Sequence, residues 1–457
     1  MRCRKLKQFP RLPQLAPDMP TPSPFRNIAL VTAAFFLTAL AVSGVLPLWL
    51  DEILQLIETR GTTASQLIQL LPRHPGAAPL GYLFQHAVFD IAGYSVRWAR
   101  FPSAIFAAGA VFVTGWMGAQ LGMKRPWLAS ALLAVFPLTL RYASESRTYA
   151  PALFFSALAT VLFLRLRKTP GWFASAAYCL ALIFAVYTQP YAISVGFAHA
   201  VWAIFDRDRR TTIRAGLGVA MALISFVPWY IWTKTIWASG IQGAGVRFAF
   251  SFKTPLMLFR ELVGSGYWGS GILIILFIAA LVCRPRESRA GLLLVLLIGV
   301  PALVAVAADG VFGYFVATRQ IMWVMPAVAV LAGLGIERGT RAGLAVGTLL
   351  AVVCIWQTVR YFSGPHENWD IAANAIAAEV NRGACLVVVP AEEVRSYAFF
   401  RPELAESHCP AARSVLAITP YATSAQREKA ASALMGAGYA RISAREEGKS
   451  EIVVYRK

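Results

Sequence analysis

In this chain of 457 residues, 57% are hydrophobic and only 14% charged, whereas a soluble protein carries about 25% charged residues. Its mean hydropathy of +0.57 belongs to the membrane class and excludes a disordered chain, a collagen-like chain and a disulfide-rich secreted module. The formal charge of +20 resides wholly in the first 360 residues, because 361–457 hold eleven basic and eleven acidic side chains. In an apolar sequence such a surplus reports topology, not nucleic-acid binding.

Residues 1–26 contain Pro10, Pro13, Pro17, Pro20, Pro22 and Pro24 with no apolar period, which predicts a disordered, basic cytoplasmic tail. Met19 is a second candidate start. The run 27–48 is long for a signal peptide and reads as an uncleaved anchor. Ten further apolar runs follow, near 98–121, 126–140, 148–164, 171–189, 191–205, 215–232, 268–283, 290–308, 319–336 and 342–360. Together they predict a polytopic α-helical membrane module over 27–360 with about eleven crossings, most near the roughly 20 residues a bilayer needs and 126–140 short for a full span.

Charge decides how the loop 49–96 is placed. With the N-terminus inside and 79–93 not crossing, the inner turns collect Lys124, Arg125, Arg165, Arg167, Lys168, Arg207, Arg209, Arg210 and Arg214. Arg284, Arg286, Arg289, Arg338 and Arg341 join them, so 20 of the 32 basic residues before position 361 lie inside, tail included. Letting 79–93 cross would invert every later turn. The segments 50–71 and 79–93 are therefore expected as helices lying on the outer interface.

An odd number of crossings places 361–457 outside, as a small extracytoplasmic α/β domain. Helix signals at 368–381, 391–400 and 424–436 alternate with strand signals at 385–389, 413–418, 439–444 and 451–455. Cys385 and Cys409 share this domain, so an oxidising compartment leaves open either a disulfide or two buried thiols. No internal repeat is visible.

Asp51 and Glu52 follow directly on the first apolar run. A carboxylate there can take a proton from an attacking hydroxyl; the pair also fits an ordinary helix start, where acids meet the positive end of the dipole. Arg141, Glu145, Arg147 and Tyr149 cluster at the outer end of the 126–140 hairpin. Guanidinium groups hold phosphate through several donors and stay charged beside lipid, or else snorkel to the interface with Glu145 as counter-ion. Arg73-His74-Pro75 and Arg319 give weaker signals of the same kind. Two motifs are set aside. Gly264–Gly269 fits G-x-G-x-x-G without a preceding strand, and Asp206-Arg207-Asp208 fits a metal-chelating D-x-D but reads as a solvated basic turn.

The order of these pieces resembles a known family. The acidic pair, the His-Pro segment with Pro79-Leu80-Gly81-Tyr82-Leu83, Arg97–Ala104 and Tyr142–Tyr149 together resemble the GT-C superfamily of membrane glycosyltransferases. The likeness is to its family-39-like bacterial enzymes, with the protein O-mannosyltransferases and the lipid A aminoarabinose transferase among their relatives; it is strongest over about residues 27–168. It implies an inverting transferase that moves a sugar from a polyprenyl-phosphate donor to a hydroxyl acceptor on lipid A, a glycan or a protein. The site would lie on the outer face of a bacterial inner membrane. Asp51 would be the general base and Glu52 would orient the acceptor or that base. Arg147, Tyr149, His74 and Arg319 would hold the donor phosphate, with Glu145 and Arg141 beside the acceptor.

No cofactor is expected. A divalent cation is compatible with the outer acids, but no ligand spacing argues for a metal site. Two other classes stay open on the residues alone: a transporter or flippase for a lipid-linked sugar, and a non-catalytic partner in envelope-glycan assembly. The acids cluster at helix ends and no halves repeat, which favours the transferase over the transporter.

Overall fold

The structure is a computed structural model describing residues 22–73, 77–243, 254–262, 264, 266–282, 288–312, 317–406 and 412–457. The helices are α1 (Pro22–Val42), α2 (Leu50–Thr59), α3 (Ala64–Leu70), α4 (Pro79–Ala92), α5 (Val96–Gln120), α6 (Trp127–Val135) and α7 (Pro137–Ala143). They continue as α8 (Tyr149–Lys168), α9 (Trp172–Thr188), α10 (Ile193–Asp206), α11 (Arg209–Gly243), α12 (Thr254–Leu262) and α13 (Gly266–Val282). The last of the helical module are α14 (Ser288–Phe312), α15 (Met325–Arg338) and α16 (Thr340–Phe362).

Among the described residues, seven helical segments are long and apolar enough to cross a membrane: α1, α5, α8, α11, α14, α16, and α15 with the tight turns that lead into it from Thr318. α9 and α13 are apolar but shorter. The runs read as crossings are mostly helical over their described residues, but the 27–48 run ends its helix at Val42, the 319–336 run breaks at Ile321, and one run is split in two. The 126–140 run divides into α6 and α7 at Phe136, whose backbone is extended because Pro137 follows and opens the next helix. α1 begins at Pro22, inside the expected tail; residues 1–21 lie outside the described ones.

Small residues let the helices approach closely. A Cβ at Gly335 of α15 would overlap the Leu276 carbonyl of α13, and one at Gly343 of α16 would overlap the Ile336 carbonyl. α5 is packed between α1 and α8, and α15 is almost wholly enclosed. Near the last turn of α10, buried Asp206 accepts from Arg167 at 2.8 Å and Arg289 at 2.6 Å, tying α8, α10 and α14 together. Asp208 instead accepts from the backbone of Arg210 and the hydroxyl of Thr211, at the start of α11. The turn expected to be solvated thus carries a buried ion-pair node.

After α16 the chain forms α17 (Trp369–Val380), β1 (Ala384–Val389), α18 (Val394–Ala398), β2 (Arg413–Ile418), α19 (Ser424–Gly436), β3 (Ala440–Glu447) and β4 (Ser450–Arg456). The sheet order is β1-β2-β4-β3, with β1 and β2 parallel and the other pairs antiparallel. Cys385 in β1 is disulfide-bonded, while its expected partner Cys409 lies outside the described residues.

Within the segment 50–71, α2 packs against protein on more than one side. α2 is buried on two stripes. Leu50, Ile53 and Leu56 join Trp369, Ala372, Ile376 and Tyr397 in one apolar core. Glu52, Gln55 and Thr59 face the polar side chains of α4 and α5. The amphipathic period of α2 reflects burial between the helical module and the α/β unit.

Candidate active site

The site is built where the chain turns from α1 into α2. Arg100, fully buried on α5, places all five of its N–H donors on that turn. Nε and one Nη hold the two carboxylate oxygens of Glu52 at 2.9 and 2.7 Å. The remaining donors reach the carbonyls of Ser43, Leu46 and Pro47 at 2.6, 2.9 and 3.1 Å. Glu52 also accepts from the backbone N–H of Ser146 at 2.6 Å. It is therefore enclosed, and it couples the start of α2 to the 144–148 segment.

Its neighbour Asp51 points elsewhere. The Asp51 carboxylate is 27% exposed and lies 3.7 Å from Arg147 and 3.7 Å from Arg319. Arg147 also donates to the Asp51 carbonyl at 2.9 Å and to Gln55 at 3.3 Å, and its guanidinium stands 5.7 Å from the Tyr149 ring centre. Arg319 lies over the Trp49 ring at 5.6 Å. Both arginines keep a buried Nε–H with no hydrogen-bond partner. Burial weakens the arginines' charged state less than Asp51 and the nearby tyrosines strengthen it at Arg147, whose pKa moves up.

Arg141 and Glu145 form a second group, joined at 2.9 Å. Arg141 stands 4.7 Å from the Tyr361 ring centre, at the end of α16. Burial, helped by the nearby Glu52 charge, pushes the Glu145 carboxyl up to about 7 against the opposing pull of Arg141. The expected acids and cations therefore separate into an Asp51–Arg147–Arg319 group with Tyr149 and a Glu145–Arg141 group. His74 lies outside the described residues. Among the described residues, no group of three or more His, Cys, Asp or Glu side chains is placed to hold a metal ion.

Several site residues gave no separate signal in the sequence. Gln85 of α4 accepts from Thr59 at 2.9 Å and donates to the Ser146 hydroxyl, so it braces α2 against the same loop. Glu367, Tyr421 and Lys449, from the α/β unit, share the walls of one cavity with Trp49, Glu52 and Glu145. Only the tertiary fold brings them there.

Comparison with known proteins adds three findings. Residues 73–232 match the family model for dolichyl-phosphate-mannose-protein mannosyltransferase. The structure resembles apo ArnT from Cupriavidus metallidurans with a TM-score of 0.59 at 14% identity, covering 93% of this chain and 97% of that one. The same protein bound to undecaprenyl phosphate gives 0.57 at 13% identity over the same shares. An oligosaccharyltransferase from Archaeoglobus fulgidus gives 0.51 at 12% identity, covering 76% of this chain and 57% of that one. No curated protein sequence matches. At these identities the structural likeness is one of fold. The chain thus has the fold of the GT-C superfamily of membrane glycosyltransferases, and resembles the protein O-mannosyltransferases through its family match and ArnT through its structure.

Proposed function

We propose that this protein transfers a sugar, with inversion, from a polyprenyl-phosphate donor to a hydroxyl acceptor at the outer face of the membrane. The observation that carries this reading is one partly open carboxylate, Asp51, flanked at 3.7 Å by two arginines that each retain an unused buried donor. Undecaprenyl phosphate is the ligand of the ArnT structure with the same fold, which supports a lipid-linked donor here. The reading includes eleven crossings, an inner N-terminus and an outer α/β domain. It places the chain in a bacterial inner membrane.

In this reaction the acceptor oxygen bonds to the anomeric carbon from the face opposite the phosphate. The anomeric carbon–oxygen bond breaks and its electron pair leaves on the phosphate. The acceptor proton passes to Asp51. Arg147 and Arg319 stabilise the charge growing on the leaving phosphate, where partial burial strengthens the attraction, and Tyr149 supports Arg147. Glu52, with both oxygens engaged, fixes Asp51 at the start of α2. The chemistry needs no cofactor because the donor arrives activated.

The experiment is mass spectrometry of envelope glycolipids and glycoproteins from a deletion strain complemented with wild type or Asp51→Asn. A sugar-sized mass that returns with wild type, but not with a normally expressed Asp51→Asn protein, is the expected result. Full restoration by the variant would remove Asp51 from the role of base.

A further inference from the structure

Resting on that reading, we infer that the cavity between Glu145 and Lys449 is an acceptor subsite that takes a single pyranose ring, so the hydroxyl acceptor is a glycan. The cavity encloses about 280 Å³ and lies between the helical module and the α/β unit. Neither Arg147 nor Arg319 is among its lining residues, so it is separate from the position assigned to the donor phosphate. Trp49 and Glu52, on either side of Asp51 in sequence, both line it, while the Asp51 carboxylate itself lies outside its walls.

Its chemistry is that of a site for a hydroxyl-bearing ring. Glu145 is 2% exposed, and its Oε2 has no hydrogen-bond partner although the side chain faces the cavity. Leaving a buried polar atom without a partner is costly, and a ligand hydroxyl, which can both donate and accept, supplies the missing one. Across from it, the two-residue turn Gly448-Lys449 joins β3 to β4 with φ of +56° and +65°. Turns of this kind match the twist of a hairpin, but a lysine at positive φ is held there against its own preference. The Gly448 carbonyl accepts from the Asn368 backbone at 3.0 Å, which anchors the turn beside α17 and brings Lys449 into the wall. Trp49, Tyr361 and Tyr421 provide aromatic surface between these polar ends.

Size and shape favour a ring over a peptide. Sites for drug-sized ligands are roughly 300–1,000 Å³, so this cavity suits a smaller occupant. Peptide acceptors are usually read along an open sheet edge or a helix groove, and no strand residue lines this cavity. Electrostatics ties the cavity to the reaction centre: burial raises the pKa of Glu367 most, and Asp51 is among the charges that add to it.

Saturation-transfer NMR on the detergent-solubilised full chain tests this, using a panel of methyl pyranosides and an acetylated Ser/Thr peptide. The variants are Glu145→Gln and Lys449→Gly, the second relieving the positive φ and so keeping the turn. Transfer to at least one pyranoside in wild type, reduced about fivefold or more in both variants, is expected. No pyranoside signal, an equal signal in both variants, or a signal from the peptide alone would overturn the assignment. Undecaprenyl phosphate binding is followed in parallel by native mass spectrometry. A ternary complex with the pyranoside marks the acceptor side, whereas mutual exclusion would assign the cavity to the donor sugar and overturn the inference. Pyranoside binding without undecaprenyl phosphate binding would reject the donor reading and leave the cavity's sugar specificity standing.

Discussion

Arg100 grips both carboxylate oxygens of Glu52, at 2.9 and 2.7 Å, with neither side chain reaching solvent. The same guanidinium holds three carbonyls of the turn before α2, so this pair sets where Asp51 begins its helix. Removing one member of a buried pair leaves the other charge uncompensated, at a cost of about 3–5 kcal/mol. Glu52→Ala and Arg100→Ala are each expected to lower the melting temperature in detergent sharply. Arg100→Lys should behave nearly as badly, since a point charge cannot reproduce five directed donors. Thermal unfolding of the three variants checks this, and wild-type stability in Arg100→Lys would rule out the proposed grip.

Arg147 and Arg319 approach Asp51 symmetrically, but they differ in what supports them. Arg147 is tied to α2 through the Asp51 carbonyl and Gln55, whereas Arg319 rests on Trp49. A charge-assisted hydrogen bond is worth about 1.5–3 kcal/mol, or roughly 10–100-fold in affinity. Each alanine variant should therefore weaken undecaprenyl phosphate binding by about that factor, with lysine restoring part of it. Titration of the purified variants measures the effect. Unchanged affinity in both alanine variants would place the phosphate elsewhere.

Much of the helical module is legible from apolar run length, because a bilayer leaves helices few alternatives. Asp51, Arg141, Glu145 and Arg147 were also legible as short local clusters of ionisable residues at the ends of apolar runs. What covers α2 is not legible in the sequence, for a physical reason. An amphipathic period states that one face avoids water, not whether lipid or protein covers it, and here Trp369 and Tyr397 do. That Arg100 holds Glu52 is not legible, because the two are 48 residues apart in the chain. The cavity was hidden more deeply, since Glu145 and Lys449 meet its walls only after the α/β unit docks.

Glu145 gives the site a pH dependence. Its carboxyl is raised to about 7 by burial, above the ordinary carboxylate range of the unfolded chain. Between those two values the folded protein binds a proton that the unfolded chain has released. Stability is therefore highest on the acid side and declines as pH rises to about 7, after which this contribution is flat. The difference is at most about 3.5 kcal/mol at 1.36 kcal/mol per unit. Melting temperatures at pH 5 and pH 8 should thus differ more in wild type than in Glu145→Gln, which has no proton to lose. An identical difference in both proteins would show that Glu145 ionises normally.

Gly448 tests whether the hairpin tip positions Lys449. Its φ is +56°, and a Cβ there would overlap the Asn368 carbonyl at the start of α17. The Asn368 N–H donates back to Gly448 at 3.0 Å, so the turn and the helix start are locked together over one backbone contact. Gly448→Ala adds only a methyl group, but neither partner is a flexible side chain that can yield. Overpacking of this kind costs about 1–3 kcal/mol. The hairpin should lift from α17, with faster hydrogen exchange at the Asn368 amide and weaker pyranoside binding. Undecaprenyl phosphate binding should stay unchanged, because Arg147 and Arg319 lie outside the cavity. Loss of donor binding together with pyranoside binding would mean that the turn supports the whole outer face; unchanged exchange at Asn368 would mean that the close approach is not maintained in solution.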